Sequence, residues 1–445
     1  MTPRELQIIR RTRLFVRRRQ RGARGAVTVV NRRLATATGA VLLGLAALAF
    51  AKLGDLSQSV FAQLVTALPY APLFVTPAIF ALVVYATARF APEARGSGIP
   101  QVIAASRDPQ GKGGGPLVSI RTAVIKVGMT LAMLGAGGSV GREGPTVQLS
   151  AAIMVACHRL FRVPITAGVL IAGGAAGVAA AFNTPLAGVA FAIEELASAY
   201  EQKVAVLVMV AVMIAGIVSL GIAGDYVYFG TMRQTLTLAA VLIVTPVAGV
   251  VGGLAGGVFS RIVLAVAAPG RAWIVRAKAR PVRLAIACGL VVAIVGIVTG
   301  GATWGTGYDA TRHLVEGQGE PLWFGPAKFV SALMATLSGA PGGVFAPSLA
   351  VGAGVGNLLA AAFPGDPAGA VVLLGMTAYF VGVVRAPLTA VIIISETTAS
   401  RGMIIPLFAA ALIADTVSAL VCRERLYHGL AKPFLASPSS TEPKP

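Results

Sequence analysis

The sequence predicts an all-α polytopic membrane protein made of two inverted repeats of many tilted, broken and re-entrant helices. The class follows from composition, because 56% of the 445 residues are hydrophobic and only 12% are charged, with a mean hydropathy of +0.80. The broken helices follow from the 53 glycines and 26 prolines. These residues interrupt the apolar sequence, so that many apolar segments are shorter than the roughly 20 residues that a simple span needs. Non-helical backbone is tolerated at membrane depth only beside protein or a water-filled cavity, so we expect a lined pathway.

The first 34 residues carry eleven arginines against one acidic residue, Glu5. An arginine cluster before a first span is the positive-inside signal, which predicts that residues 1–34 form a basic cytoplasmic segment. The apolar residues among the arginines predict an amphipathic helix on anionic lipid. Nucleic-acid-binding proteins carry similar runs, but the position of this run directly before a span favours the membrane. We therefore expect no nucleic-acid partner.

Apolar segments then divide the chain into a first transmembrane repeat at residues 35–223 and a second at residues 224–421. A short tail at residues 422–445 follows, and its basic residues near the last span predict that it is cytoplasmic. The loop at residues 269–283 carries five basic residues and is also expected on that side. Inverted repeats that each cross an odd number of times place both termini on one side, as these charges predict.

One carboxylate, Glu143, interrupts the apolar sequence within the stretch GREGP at residues 141–145. A charge at membrane depth costs several kcal/mol, so it indicates a functional group. The flanking glycines allow close backbone approach, and Pro145 suits the first turn of a new helix. Because amides at a helix start favour an anion, a carboxylate there is interpreted as a tethered competitor for a bound anion.

The breaks recur at a fixed offset, which indicates an internal repeat. GREGP at 141–145 aligns with GVFAP at 343–347, an offset of 343 − 141 = 202 residues. The same offset aligns Gly173 with Gly375, Pro185 with Pro387, Leu186 with Leu388, Val189 with Val391 and Glu194 with Glu396. Repeats with broken helices place the binding site of many transporters near the membrane midplane, between the two halves.

Three stretches together resemble, in order and spacing, the signatures of the CLC family of chloride channels and transporters: GSGIP at 96–100, GREGP at 141–145 and GVFAP at 343–347. The resemblance continues through NTPLAG at 183–188 and RAPL at 385–388, and it covers residues from about 36 to 430. It implies a protein similar to the prokaryotic chloride/proton antiporter branch. It also implies a homodimer in a bacterial inner membrane, with one pathway per subunit and with chloride, protons and membrane lipid as partners.

The resemblance also implies roles for single positions. Glu143 is similar to the gating glutamate that occupies or vacates the outer anion site, and Glu195 is similar to the internal proton-transfer glutamate. Ser97 resembles the central hydroxyl ligand, and Tyr427 the tyrosine that closes the inner end. The full set of anion-binding residues that the resemblance implies is Ser97, Gly98, Ile99, Val344, Phe345 and Tyr427.

The residues themselves leave alternatives open. A serine such as Ser97 commonly caps a helix, a tyrosine such as Tyr427 is often an interfacial aromatic, and Glu195 is equally placed for a helix-end charge. Departures from the family pattern occur at Gln101 and Ile103, where many relatives carry acidic residues. The intracellular proton entrance is therefore expected to be built differently in this chain.

Two further comparisons with the family concern the transported ion. Serine at position 97 resembles chloride-preferring members, whereas nitrate-preferring members tend to have proline there. Pro145 and Tyr427 argue against the fluoride-exporting branch. The leading hypothesis is a secondary active transporter that exchanges chloride for protons, and the alternative is a passive chloride-selective channel of the same fold.

We predict no enzymatic activity, because the aspartates are not in paired membrane motifs and no histidine accompanies a buried serine. The three cysteines and three histidines are scattered along the chain. Their spacing predicts no metal site, no disulfide framework and no cofactor.

Overall fold

The computed structural model describes residues 3–109, 115–196, 202–224, 228–268, 270 and 272–435, without the side chains of residues 3–28, 202–203, 223 and 272–273. Within those ranges the regular structure is helical. The helices of the first half are α1 (Pro3–Ala67), α2 (Pro72–Phe90), α3 (Ile99–Arg107), α4 (Ile120–Leu134), α5 (Glu143–Leu160), α6 (Ala167–Phe182), α7 (Pro185–Phe191) and α8 (Gln202–Ala223). The helices of the second half are α9 (Leu238–Ala267), α10 (Ala272–Lys278), α11 (Pro281–Val298), α12 (Tyr308–Val315), α13 (Phe324–Leu337), α14 (Phe345–Ala362), α15 (Ala368–Val384), α16 (Pro387–Thr398), α17 (Ile404–Val421) and α18 (Leu426–Leu435).

Seven stretches of helix are long and apolar enough to cross a membrane, judged by length and composition over the described residues: Val29–Ala67, Pro72–Phe90, Val204–Ile222, Leu238–Ala267, Pro281–Val298, Phe345–Ala362 and Arg401–Val421. Four further apolar helices, α6, α13, α15 and α16, have 12 to 17 residues. At roughly 1.5 Å per residue these four are too short for a membrane core of about 30 Å. The prediction of broken, incomplete spans is confirmed.

α1 continues through residue 34 without interruption, so the predicted boundary between the basic segment 1–34 and the first repeat falls inside a single helix. The stretch Val29–Ala67 within it is apolar enough to span a membrane. The predicted contact of the basic segment with lipid depends mainly on the side chains of residues 3–28, which are not among those that the structure describes.

The internal repeat is visible in the backbone. α5 and α14 begin 202 residues apart (345 − 143), and α7 and α16 do the same (387 − 185). α6 and α15 both end at a residue in the left-handed conformation, Asn183 with φ 57° and Arg385 with φ 62°. Non-glycine residues seldom adopt this conformation, so two of them at equivalent positions indicate that the repeat extends to local geometry.

Gly141 and Gly343 join the two halves at the centre of the fold. Each amide donates to the carbonyl of the other over 2.7 Å, and the two stretches run antiparallel. A Cβ at Gly343 would lie 3.0 Å from the Gly141 carbonyl oxygen, so this pairing leaves little room for a side chain. Two residues that are equivalent in the repeat and pair reciprocally are related by a local two-fold axis. The halves are therefore inverted with respect to each other at this contact.

The core lies around α6 and α15, whereas the outer helices present apolar surface. All residues from Gly369 to Val384 of α15 are buried, and α15 packs against α14, α9 and α17. On α8, by contrast, large apolar side chains such as Val206 and Ile217 are exposed. An extended apolar exterior on the longest helices is what a lipid environment requires. Polar residues are instead gathered where the short helices begin.

Candidate functional site

The N-terminal ends of α3, α5 and α14 meet near the middle of the fold. Gly98 precedes α3 with φ 113°, and a Cβ on it would overlap the carbonyl oxygen of Gly144 in the first turn of α5. The Gly342 amide, just before α14, donates to the Gly96 carbonyl over 3.2 Å. The first amides of a helix lack intrahelical acceptors and carry the positive end of its dipole. Three such ends in one place form a region that favours an anion.

Glu143 is the first residue of α5 and is fully buried at this meeting point. Its Oε2 accepts a hydrogen bond from the Ala346 amide, in the first turn of α14, over 3.4 Å. Its Oε1 accepts a hydrogen bond from the Tyr308 hydroxyl. A carboxylate therefore lies against the amides that the sequence predicts as an anion site. This is the position expected of a side chain that competes with a bound anion.

Tyr308 was not identified from the sequence. It is the first residue of α12 and lies 165 residues from Glu143 along the chain, too far for any local pattern to connect the two. The sequence feature closest to it is the glycine-rich run at residues 300–307, which predicts a break between helices but does not indicate that Tyr308 contacts Glu143. Tyr308 packs edge-on against Tyr228, with ring centroids 4.9 Å apart.

A buried lysine holds the loop that positions Tyr308. Lys328 of α13 is fully buried, and its Nζ donates to the carbonyls of Thr303 and Gly305 over 3.0 and 2.8 Å. The Thr306 amide in the same loop donates to Oε1 of Gln58 over 3.0 Å. These contacts fix the approach to α12, because a buried ammonium group needs acceptors at every available direction.

Arg142, next to Glu143 in sequence, does not pair with it. Its Nη1 donates to the carbonyl of Ala51 and to Oδ1 of Asp55 over 2.6 and 2.7 Å, and its Nη2 donates to the Tyr228 hydroxyl. The guanidinium also lies 5.3 Å from the Tyr308 ring centroid. Arg142 thus connects the start of α5 to α1 and to the packed rings of Tyr228 and Tyr308. The Glu143 carboxylate bonds instead to Tyr308 and to the start of α14.

Ser97 and Tyr427 contribute two buried hydroxyl groups on the other side of the helix starts. The hydroxyls are close enough to interact, yet neither makes a well-directed hydrogen bond to any described residue. Ser97 also abuts Gly144, where a Cβ would overlap its Oγ. Buried hydroxyls normally have partners. Two of them without a well-directed hydrogen bond, beside amides at helix starts, are suited to an anion that accepts hydrogen bonds.

Val344 and Phe345, the predicted contribution of the second half, lie at the start of α14. The Phe345 ring is fully buried and contacts Tyr427, with centroids 5.9 Å apart. The other rings that surround Phe345 are Phe182, Phe191 and Phe380. This aromatic cluster fixes the helix start against Tyr427, while Gly98 and the buried Ile99 place the first turn of α3 beside it.

Glu195 lies on a π-helical turn, Ala192–Leu196, that continues α7. Its side chain is 0% exposed, and neither carboxylate oxygen makes a hydrogen bond to the described residues. Nδ1 of His428 lies 3.3 Å from Oε1 of Glu195. Tyr427 is near enough to both Glu143 and Glu195 for their charges to act on its hydroxyl. Both predicted carboxylates therefore lie near Tyr427.

Glu194 has a different environment from its neighbour. Its carboxylate accepts from the Leu388 and Thr389 amides over 2.8 and 2.7 Å and from the Thr389 hydroxyl over 2.6 Å, which caps the start of α16. Glu396, its equivalent in the second repeat, accepts from the Ala187 amide at the start of α7 over 3.2 Å. Each half thus caps a helix of the other, which is a structural role for both residues.

Gln101 and Ile103 offer no titratable group. The Gln101 amide donates to the carbonyls of Glu93 and Arg95 over 3.0 and 2.6 Å, and Ile103 is buried in the apolar core. Both residues are explained by packing within α3 and the turn before it.

Comparisons with known proteins identify the family. A family model described as Voltage gated chloride channel matches residues 79–419. The H(+)/Cl(-) exchange transporter ClcA of Yersinia pestis is 31% identical over 388 residues, which covers 82% of this chain and 78% of that protein. The protein of the same name from Citrobacter koseri is 31% identical over 378 residues, covering 82% and 79%. These relatives are transporters rather than enzymes.

Solved structures share the fold. A slow cyanobacterial Cl-/H+ antiporter superposes with a TM-score of 0.78 at 24% identity, covering 91% of this chain and 98% of that one. A CLC-type fluoride/proton antiporter gives 0.75 at 22% identity, covering 88% and 96%. The family model spans most of the chain, and the relatives cover more than three quarters of it. The chain is therefore a member of the voltage gated chloride channel family, the CLC family, and is similar to its prokaryotic antiporters.

Proposed function

We propose that the protein exchanges chloride for protons across a membrane, with Glu143 as the gating glutamate and Glu195 as the internal proton carrier. The observation that carries the proposal is the position of the Glu143 carboxylate on the Ala346 amide at the start of α14. A carboxylate in that position excludes an anion from the same amides, and it leaves them when it is protonated. Chloride and a proton therefore compete through one side chain.

The chloride ligands of the proposal are donors without a full positive charge. The hydroxyls of Ser97 and Tyr427 and the backbone around Gly98, Ile99, Val344 and Phe345 meet at the helix starts. Dipoles bind an anion weakly enough to release it, whereas a buried ammonium group would hold it. Two fully buried lysines are engaged with other acceptors: Lys328 donates to the loop before α12, and Lys126 donates to Oε1 of Gln148 over 2.6 Å.

The proton pathway of the proposal shares its outer end with chloride and separates from it at Tyr427. Glu195 is buried, lacks a hydrogen bond to the described residues and, like Glu143, lies near Tyr427. Burying an unpaired carboxylate costs free energy, and a passive chloride pathway would gain nothing from it. The buried Glu195 therefore favours an exchanger over the alternative, a passive chloride-selective channel.

We also propose the topology and assembly that the sequence predicts: a bacterial inner membrane protein, homodimeric, with both termini in the cytoplasm. Two groups of described basic residues support the same side for both regions. The first lies in α10 and at the start of α11, and comprises Arg276, Lys278, Arg280 and Arg283. The second lies before and within α18, and comprises Arg423, Arg425 and Lys432. Cysteine labelling from each side of the membrane tests the topology. Light scattering of the purified protein tests the dimer.

Paired ion fluxes test the exchange. Purified protein in liposomes is given an outward chloride gradient, and chloride release and external pH are recorded together. We expect chloride efflux to drive protons inward against their gradient. Chloride efflux without proton movement would establish the passive channel instead.

A further inference from the structure

We propose that His428 is the group through which protons reach Glu195 from the side of the C-terminal tail. This inference rests on the proposed exchange of chloride for protons and extends it, since it supplies the step between bulk water and the buried carboxylate. It identifies His428 as a proton-relay residue that the sequence left among three scattered histidines.

The geometry places His428 between Glu195 and solvent. Nδ1 of His428 lies 3.3 Å from Oε1 of Glu195, and the exposed fractions of the two side chains are 32% and 0%. The imidazole therefore approaches the buried carboxylate through Nδ1, and part of the side chain is accessible. The exposed surface is aqueous rather than lipid, because the charged side chains of Arg423 and Arg425 are exposed just before α18.

The contact is held by packing rather than by a competing hydrogen bond. His428 follows Tyr427, which is fully buried against Phe345, and α18 packs against α3 and α9. Neither Nδ1 of His428 nor the two Glu195 oxygens make a hydrogen bond to another described residue. A small movement of either side chain then makes or breaks the transfer contact.

The other charged groups near His428 are already engaged or lie at the periphery. Glu424 pairs with Lys432 on the surface of α18. Arg425 donates to the Glu194 carbonyl over 3.2 Å, and the Glu194 carboxylate caps α16. Among the helices packed against α18, α3 carries only Arg107, α9 carries only Arg261 and α15 carries no charged residue. His428 is thus the titratable side chain placed between Glu195 and water.

Imidazole chemistry suits this position. The outer nitrogen accepts a proton from hydronium, which leaves as water, and Nδ1 releases its proton to the Glu195 carboxylate, which becomes the neutral acid. Rotation of the neutral ring then brings the protonated nitrogen back towards Glu195. No oxidant, reductant or metal takes part.

The test compares His428→Gln with His313→Gln in the full chain, reconstituted in liposomes. His313 is a matched control, because it is a half-exposed histidine whose Nδ1 lies 3.0 Å from a carboxylate, that of Glu320, away from the pathway. We expect His428→Gln to slow chloride-driven proton uptake by at least about tenfold and to keep chloride binding. His313→Gln should behave as the unchanged protein.

A second variant, His428→Ala, keeps the proposal testable if glutamine disturbs α18. Imidazole added to the buffer should restore part of its proton flux, which a purely structural residue would not show. Proton flux equal to that of His313→Gln would overturn the relay, as would loss of chloride binding in both variants without rescue by imidazole. If the unchanged protein moves chloride but no protons, the proposed exchange itself is wrong, and the relay falls with it.

Discussion

The Tyr308 hydroxyl donates a hydrogen bond to the Glu143 carboxylate, although 165 residues separate the two in the chain. Tyr308 therefore holds the carboxylate in the position where its other oxygen lies on the Ala346 amide. A hydrogen bond to a charged group contributes about 1.5–3 kcal/mol. The stability of this occupied position, and hence the ease with which chloride replaces the carboxylate, depends on a residue outside every signature stretch.

Tyr308→Phe is expected to release Glu143 more readily. Loss of about 1.5 kcal/mol of stabilisation raises the apparent affinity for chloride roughly tenfold, because the carboxylate competes less well for the amides. Calorimetric titration with chloride measures this change. Tyr228→Phe is the control, since Tyr228 lies in the same aromatic pair but bonds to Arg142. Equal chloride affinities in both variants would remove Tyr308 from the competition.

Glu143→Gln is expected to abolish proton transport and to leave chloride flux. The amide resembles the protonated, displaced carboxylate in shape and charge but does not titrate. Paired chloride and proton fluxes in liposomes measure both effects, and Glu320→Gln, far from the helix starts, should change neither. A Glu143→Gln variant that still moved protons against their gradient would refute the gating assignment.

We expect Glu195→Gln to change transport and Glu194→Gln to change stability. The first should keep chloride movement and lose coupled proton movement, because it removes the buried carboxylate and leaves the anion donors in place. The second should keep both fluxes but lower the free energy of unfolding by about 0.5–2 kcal/mol, since Glu194 caps α16. Flux assays and thermal unfolding in detergent distinguish the two.

Two outcomes would reverse these assignments. Native proton exchange in Glu195→Gln would reduce Glu195 to a helix-end charge. Glu396→Gln provides the matched control for the cap, because Glu396 makes the equivalent contact to α7 in the other half. A loss of coupling in Glu194→Gln but not in Glu396→Gln would give Glu194 a part in proton movement.

Ser97→Ala is expected to weaken chloride binding. The substitution removes one buried donor that has no hydrogen bond to the described residues, and a hydrogen bond to a charged group is worth about 1.5–3 kcal/mol. Chloride affinity should therefore fall by at least roughly tenfold. Ser331→Ala is a suitable control, because Ser331 on α13 is also buried with an unpartnered hydroxyl. The same chloride affinity in both variants would mean that Ser97 does not contact the ion.

The sequence by itself determined the membrane class, the broken helices, the internal repeat and the carboxylate around which the site is built. These properties are local, since hydropathy sets which segments enter a membrane, and glycine and proline set where a helix stops. Glu143 could be found in this way because a charge within an apolar run stands out without any knowledge of its neighbours. The family signatures extended this information to Ser97, Glu195 and Tyr427.

Only the tertiary structure decided which of these residues meet. Several contacts join residues that are 165 to 233 positions apart in the chain (308 − 143 and 428 − 195). They are the contact of Tyr308 with Glu143, the contact of His428 with Glu195, and the reciprocal helix caps formed by Glu194 and Glu396. No spacing in the sequence encodes such pairs, because they depend on how short helices from two inverted halves cross at the centre. Two neighbouring glutamates therefore look alike in sequence, while packing makes one a helix cap and buries the other beside a histidine.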